Sequence, residues 1–288
     1  MTILQDFQAY LEQRYAQATV SAYLQDMTHF FRWFEATNGE EPDPRAVVPS
    51  DVREYRRTLL NGQARPATIN RRLAALSNFF RWARATGLAH DNPAQDVPGV
   101  RQTQLAPKWL SRKEQNALLR AGRKRGRRRD EAIIIVLLHT GLRVSELCNL
   151  RLPDLQLSQR KGEVRVRGKG EKERVVPLNA EARKALKAYL DVRPAAVHDY
   201  LFVGQRGDPM QSSGVQRLVH EYARRARLEE ACTPHTLRHT FAKNLVDAEV
   251  SLDRVAALLG HENLNTTRIY TTPSVDDLTE AVERLEGK

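Results

Sequence analysis

From Val20 onward apolar side chains recur at Tyr23, Leu24, Met27, Phe30, Phe31 and Phe34, offsets of three and four that mark a helix with one face in a core. Thr19, just ahead of the stripe, is its expected N-cap. Three more stretches share the period: Ile3 to Gln13, Asp51 to Leu60 and Ala67 to Ala85, the last two stopped by Asn61-Gly62 and Gly87. The first hundred residues therefore read as a small helical bundle. In its fourth helix Ile69, Leu73, Leu76, Phe80 and Ala83 form the buried stripe, and Asn70, Ser77, Arg81 and Arg84 share the adjacent strip. With Arg71, that strip is a candidate grip on phosphates; a plain solvated face fits the spacing equally well.

Periodicity fails from His90 to Lys108, where Pro93, Pro98, Gly99 and Pro107 occur, so two domains are expected, 1–91 and 109–288, joined by a linker over 92–108. The second domain opens on a capping box, Ser111 with Glu114. An apolar helix is expected from Asp130 to His139 and another from Arg143 to Leu150, closed by Pro153. Between Glu163 and Leu178 the period changes: Val164 and Val166, then Val175 and Val176, flank Gly168-Lys169-Gly170 in a hairpin pattern. Helices resume at 180–192, 213–227, 234–248, 252–259 and 265–270. A last segment from Ser274 sets Val275, Leu278, Ala281, Val282 and Leu285 on one face.

With 41% hydrophobic and 28% charged residues among 288, the chain is neither disordered nor collagen-like. Its longest apolar run, Ala132 to Leu138, is too short to cross a bilayer, and Asp6, Glu12, Arg14 and Asp26 leave no apolar core for a secretory signal. A cytoplasmic location without a membrane partner is expected. Cys148 and Cys232 stand far apart outside any Cys-x-x-Cys pattern, which supports neither a disulfide framework nor a zinc site. The net charge of +11 points to a polyanionic partner. Residues 1–104 hold 12 arginines against 11 acids, so nearly all of that charge belongs to the remainder. Its densest cluster runs from Arg123 to Arg129, and Arg127 and Arg128 there are candidate contacts to nucleic acid.

Chemistry gathers in the second domain. Thr233-Pro234-His235-Thr236-Leu237-Arg238-His239 opens a helix with a cap residue and a first-turn proline, so bare amides and the positive dipole end lie beside His235. His235 and Arg238, three apart, share a face and can meet one anion. Alone, such a pair is an ordinary surface pair. It is accompanied by Thr140-Gly141-Leu142-Arg143, by Lys169 in the hairpin turn, by Leu259-Gly260-His261 and by Tyr270 nine residues later. In this order the motifs resemble the tyrosine recombinase/integrase family, over the whole chain, with Xer-type recombinases nearest in length and layout.

That resemblance implies a mainly α fold: an N-terminal SAM-like four-helix core-binding domain, then a mostly helical catalytic domain with a small antiparallel sheet. It implies Arg143, Lys169, His235, Arg238, His261 and Tyr270 as the active-site set, with no metal and no cofactor. The implied partners are double-stranded DNA with paired half-sites and other protomers in a synaptic tetramer, identical or mixed, at the nucleoid. Transfer of a phosphoryl group builds negative charge, so two arginines suit the nonbridging oxygens, a phenol suits attack on phosphorus, and an amine among cations suits protonation of the departing 5′ oxygen. His235 would accept the tyrosine proton or hold a phosphate oxygen, and His261 would donate to the phosphate. Glu146 is expected to orient a basic side chain, and His239 to pack or to support its neighbours. The chain begins directly in the first bundle, so no separate arm-binding domain is expected. The rivals are a catalytically inactive DNA-binding accessory factor, a type IB topoisomerase-like enzyme, and a metal-dependent nuclease, for which no carboxylate motif stands out.

Overall fold

The structure, a computed structural model, describes residues 3–101, 107–168, 173–204, 206–228, 232–261 and 265–270. The chain divides into two compact units, Met1–Gln104 and Leu105–Lys288, each with its own core. No described helix is long and apolar enough to cross a membrane.

The first unit consists of α1 (Ile3–Glu12), α2 (Gln17–Asn38), α3 (Pro49–Asn61) and α4 (Pro66–Ala85). Its core is aromatic: Phe7 meets Phe79 edge-on at 5.1 Å, and Phe30 meets Tyr55 at 5.1 Å and 77°. Helix α2 starts earlier than Thr19, because the Ala16 carbonyl already accepts the Thr19 and Val20 amides. Likewise α3 begins at Pro49, whose ring presets the first helical φ, and Asp51 caps it by accepting the Val48 amide at 3.0 Å. Two polar positions of the α4 strip turn inward to the returning chain. Asn70 exchanges hydrogen bonds with Val100 at 2.7 and 2.9 Å, and Asn92 donates to the Ser77 hydroxyl at 3.1 Å. Ala94 and Val97, in the expected linker, are buried in this same core.

Within that bundle lies one charged cluster. Asp26 is 3% exposed and holds both Arg71, in direct contact, and Arg72 at 3.7 Å. Arg72 also donates to His29 Nε2 at 3.0 Å, and His29 Nδ1 lies 2.8 Å from the Tyr55 hydroxyl. Burial raises the Asp26 carboxyl above its ordinary range despite Arg71 and Arg72.

The second unit runs α5 (Arg112–Lys124), α6 (Arg128–Thr140), α7 (Val144–Asn149), β1 (Leu155–Leu157), β2 (Gly162–Arg167), β3 (Glu173–Pro177), α8 (Ala180–Leu190), α9 (Ser212–Arg225), α10 (Pro234–Asp247), α11 (Leu252–Leu259) and α12 (Asn265–Arg268). The Ser111 and Glu114 side chains satisfy each other's amides at the start of α5 as the capping box requires. The apolar stretch 132–138 of α6 is wholly buried and centres the core. The sheet is antiparallel in the order β1-β2-β3, with Val164 opposite Val176 and Val166 opposite Arg174. Strand β1, not expected from the sequence, has three residues, too few for an alternation to show. The expected tail from Ser274 lies outside the described residues.

Candidate active site

Two glycines shape the site. Gly141 ends α6 at φ +62°, and a Cβ there would lie 2.4 Å from the Phe241 ring of α10 and 2.9 Å from Leu259 of α11. Gly260 ends α11 at φ +67°, where a Cβ would stand 2.9 Å from Arg174 Nη1. Only glycine combines the left-handed backbone with this closeness. The helix ends thus draw together around the first turns of α10.

Helix α10 is capped by Thr233, which accepts the Thr236 amide at 3.2 Å, and Pro234 follows at the first position. Arg238, one turn in, is 3% exposed, and its guanidinium donates to the carbonyls of Gly141 at 2.6 Å and Leu259 at 2.7 Å. Burial, with Arg143 close by, pushes its pKa down to about 10. Arg143, the residue capping α7, donates to Glu146 Oε1 at 2.9 Å and reaches the Gly260 carbonyl at 3.5 Å. Glu146 is the hub. It accepts the Arg143 amide at 2.7 Å, takes two parallel bonds from Arg174 at 2.9 Å, and lies 4.0 Å from Arg238. Burial alone would raise the Glu146 carboxyl, but the Arg174 and Arg143 hydrogen bonds hold it below its ordinary value.

Glu146 does orient a basic side chain, as expected, and it orients more than one. Arg174 escaped the sequence reading, where it was one cation among Arg160, Lys161, Arg165, Arg167 and Lys172. Its position opposite Val166, a buried strand residue, was the available signal that it faces inward. Its Nε donates to the Leu258 carbonyl at 3.0 Å, next to the Gly260-His261 corner.

Three imidazoles complete the surroundings. His261 Nδ1 pairs with the Thr267 hydroxyl at 3.0 Å, and burial followed by Arg238, Arg143 and Arg174 pushes its pKa down to about 4. His235 is lowered by burial, Arg238 and Arg143. His239, one turn beyond, meets His235 edge-on at 4.1 Å and has its pKa pushed to about 4 by burial, His235, Arg238 and His261. Tyr270 is 2% exposed among Phe241, Ala242, Val255 and Leu259, and its hydroxyl lies 2.8 Å from His239 Nδ1. Burial raises this phenol, and the Arg238 charge opposes that. An open groove of about 780 Å³ beside His235 is lined by Arg217, His220, Arg224 and Thr233 among others.

The structure therefore brings together Arg143, His235, Arg238, His261 and Tyr270 of the expected set; Lys169 lies outside the described residues. The expected DNA contacts Arg71, Arg81, Arg84, Arg127 and Arg128 are all exposed; Arg71 is also tied to Asp26, and Arg128 to Glu131 at 3.2 Å. Helix stripes mark the buried face but not which surface arginine finds an acid 45 residues away, the separation of Asp26 and Arg71. Among the described residues no group of three His, Cys, Asp or Glu side chains is placed to hold a metal ion.

Arginines on a shared carboxylate thus stand ringed by imidazoles and a phenol, and the chain belongs to the phage integrase family. The family's model matches residues 108–276, and the model of its N-terminal SAM-like domain matches 4–87. The chain is 35% identical over 277 residues to the tyrosine recombinase XerC of Thermodesulfovibrio yellowstonii, covering 92% of this chain and 89% of that protein. It is equally 35% identical to XerD of Chlorobaculum tepidum over 271 residues, 91% of this chain and 88% of the other. Among solved structures, the XerH site-specific recombinase bound to its difH substrate in a pre-cleavage complex matches with a TM-score of 0.70 at 25% identity, covering 91% and 78%. The chain is thus a tyrosine-type site-specific recombinase, and neither the accessory-factor nor the topoisomerase reading is favoured.

Proposed function

We propose that Tyr270 is the nucleophile with which this recombinase cuts and rejoins double-stranded DNA, and that Arg143, Lys169, His235, Arg238 and His261 serve its attack. The observation that carries this is the joint anchoring of Arg143 and Arg238 about Glu146, with the Tyr270 hydroxyl hydrogen-bonded to the residue next to Arg238. Three arginines against one carboxylate leave a surplus of fixed positive charge, which suits a phosphate gaining negative charge as it becomes five-coordinate. Arg143 and Arg238 hold the nonbridging oxygens, and His261 and His235, neutral near pH 7, each offer an N–H to them. Attack by the Tyr270 oxygen forms a 3′-phosphotyrosyl ester and releases the 5′ oxygen, which takes a proton from Lys169. Bond energy stays in the ester, so rejoining needs no nucleotide cofactor. The groove beside His235, whose wall carries Arg217 and Arg224, suits the duplex backbone, with Arg71, Arg81, Arg84, Arg127 and Arg128 as further contacts.

The likeness to XerH bound to its difH substrate supports DNA as the substrate; on this reading the DNA carries paired half-sites, the protomers work as a tetramer, and the task is resolution of replicon dimers in the cytoplasm. Trapping on a nicked suicide duplex tests the chemistry. A covalent adduct is expected from the unaltered chain and none from Tyr270→Phe; an adduct that survives the substitution refutes the assignment.

A further inference from the structure

We propose that His239 is the group that takes the proton from the Tyr270 hydroxyl as the phosphotyrosyl ester forms and returns it when the ester is broken. This rests on Tyr270 being the nucleophile and adds the base that its chemistry requires. The two side chains come from elements 31 residues apart, yet Nδ1 and the hydroxyl lie at hydrogen-bond distance, 2.8 Å. Tyr270 is 2% exposed, so bulk water has no direct access to its proton and a protein group must take it. The buried phenol is raised and keeps its hydrogen, and the buried imidazole is lowered and stays neutral; the phenol therefore donates and Nδ1 accepts. His235, on the same helix, meets His239 edge-on at 4.1 Å, while the hydroxyl is bonded to His239.

Among the described residues the groups facing His239 are His235 and Arg238 of α10, His261 beyond α11, and Tyr270 itself, none of them a carboxylate. Its basicity is thus held down by burial and by neighbouring cations. A DNA phosphate entering between the arginines neutralises part of that field, so the imidazole becomes a stronger base when substrate is present. The step balances. The Tyr270 O–H bond gives its proton to Nδ1 and its electron pair to a new O–P bond, while the P–O5′ bond breaks and the 5′ oxygen gains a proton. In rejoining the 5′ hydroxyl attacks phosphorus and gives its proton back to the Lys169 amine, the phosphotyrosyl P–O bond breaks, and the imidazolium restores the phenol.

His239→Asn tests this in the full chain, because the amide oxygen occupies the place of Nδ1 and accepts the phenol's hydrogen bond without taking its proton. On a nicked duplex at neutral pH, adduct formation should fall about 10²–10³-fold, the range of a general base, with duplex affinity unchanged. The deficit should shrink as pH rises, because the phenol then ionises unaided, and a fluorinated tyrosine of greater acidity at 270 should rescue the variant more than it accelerates the unaltered chain. If His239→Asn keeps both the rate and the pH profile of the unaltered chain, or if His235→Asn alone steepens the profile, the proposal is overturned. Should the variant lose its melting transition, the fluorotyrosine series in the unaltered chain decides: weak dependence on phenol acidity supports a protein base, and dependence as steep as free ionisation refutes one. An adduct in Tyr270→Phe would instead overturn the nucleophile reading, which separates the two failures.

Discussion

Two buried carboxylates, one in each unit, are surrounded by arginines and respond in opposite ways. Asp26 is raised by burial even with Arg71 and Arg72 beside it, whereas Glu146, equally enclosed, is lowered. The difference is hydrogen-bond geometry. Asp26 receives one close guanidinium contact and a second cation at 3.7 Å. Glu146 receives two parallel bonds from Arg174, a third from the Arg143 side chain and a fourth from the Arg143 amide. Proximity of charge alone does not repay desolvation; directed donors do. The first cluster ties α2 to α4, and the second assembles a cationic surface around a single anion.

Substitution at the two acids should separate these roles. Glu146→Gln leaves three arginines without their shared counter-charge and should cost about 3–5 kcal/mol in urea unfolding, the range for breaking a buried ion pair; a loss below 1 kcal/mol would mean that Arg143, Arg174 and Arg238 do not depend on it. Acid should act nearly as strongly through the histidines. The pKa values of His239 and His261 are about 4 in the fold against 6.5 ordinarily, so the unfolded chain binds protons first; stability is full above pH 6.5 and falls toward pH 4 by at most about 3 kcal/mol per histidine. Calorimetric melting across this range checks it, and bound duplex should flatten the fall. Asp26→Asn should cost the least, about 1 kcal/mol, the net worth of a hydrogen bond. Its pH signature should oppose that of Glu146: a raised carboxyl gains stability as pH falls toward 3.8, and a lowered one loses it below 4.5. Melting curves of the two variants against pH would show the same slope if the contrast were false.

Much of this was legible in the sequence where physics is local. The stripe from Val20 to Phe34, the Ser111 and Glu114 cap, and the breaks at Gly141 and Gly260 follow from short-range sterics and spacing. The recurrence of Arg143, His235, Arg238, His261 and Tyr270 in a known order picked out residues that the fold brings together. What spacing cannot show is pairing across the fold. Arg174 sat in a charged run where only its place in the strand hinted that it faces inward, the Arg71–Asp26 pair joins two helices whose stripes do not reveal it, and the His239 contact to Tyr270 depends on how α11 and α12 return to α10. Helix starts shifted by a few residues where a backbone carbonyl or a proline, not the expected side chain, began the helix.

Besides Glu146 at 4.0 Å, Arg238 is held by peptide carbonyls from the C-terminal ends of two helices, Gly141 after α6 and Leu259 in α11, where helix dipoles place about half a negative charge each. A peptide group cannot be protonated in the working range, and buried dipoles are poorly screened by salt. The inner cation is therefore insulated from the conditions that dissolve ordinary ion pairs. Ionic strength should tune how well the enzyme grips its duplex while leaving this guanidinium where it is.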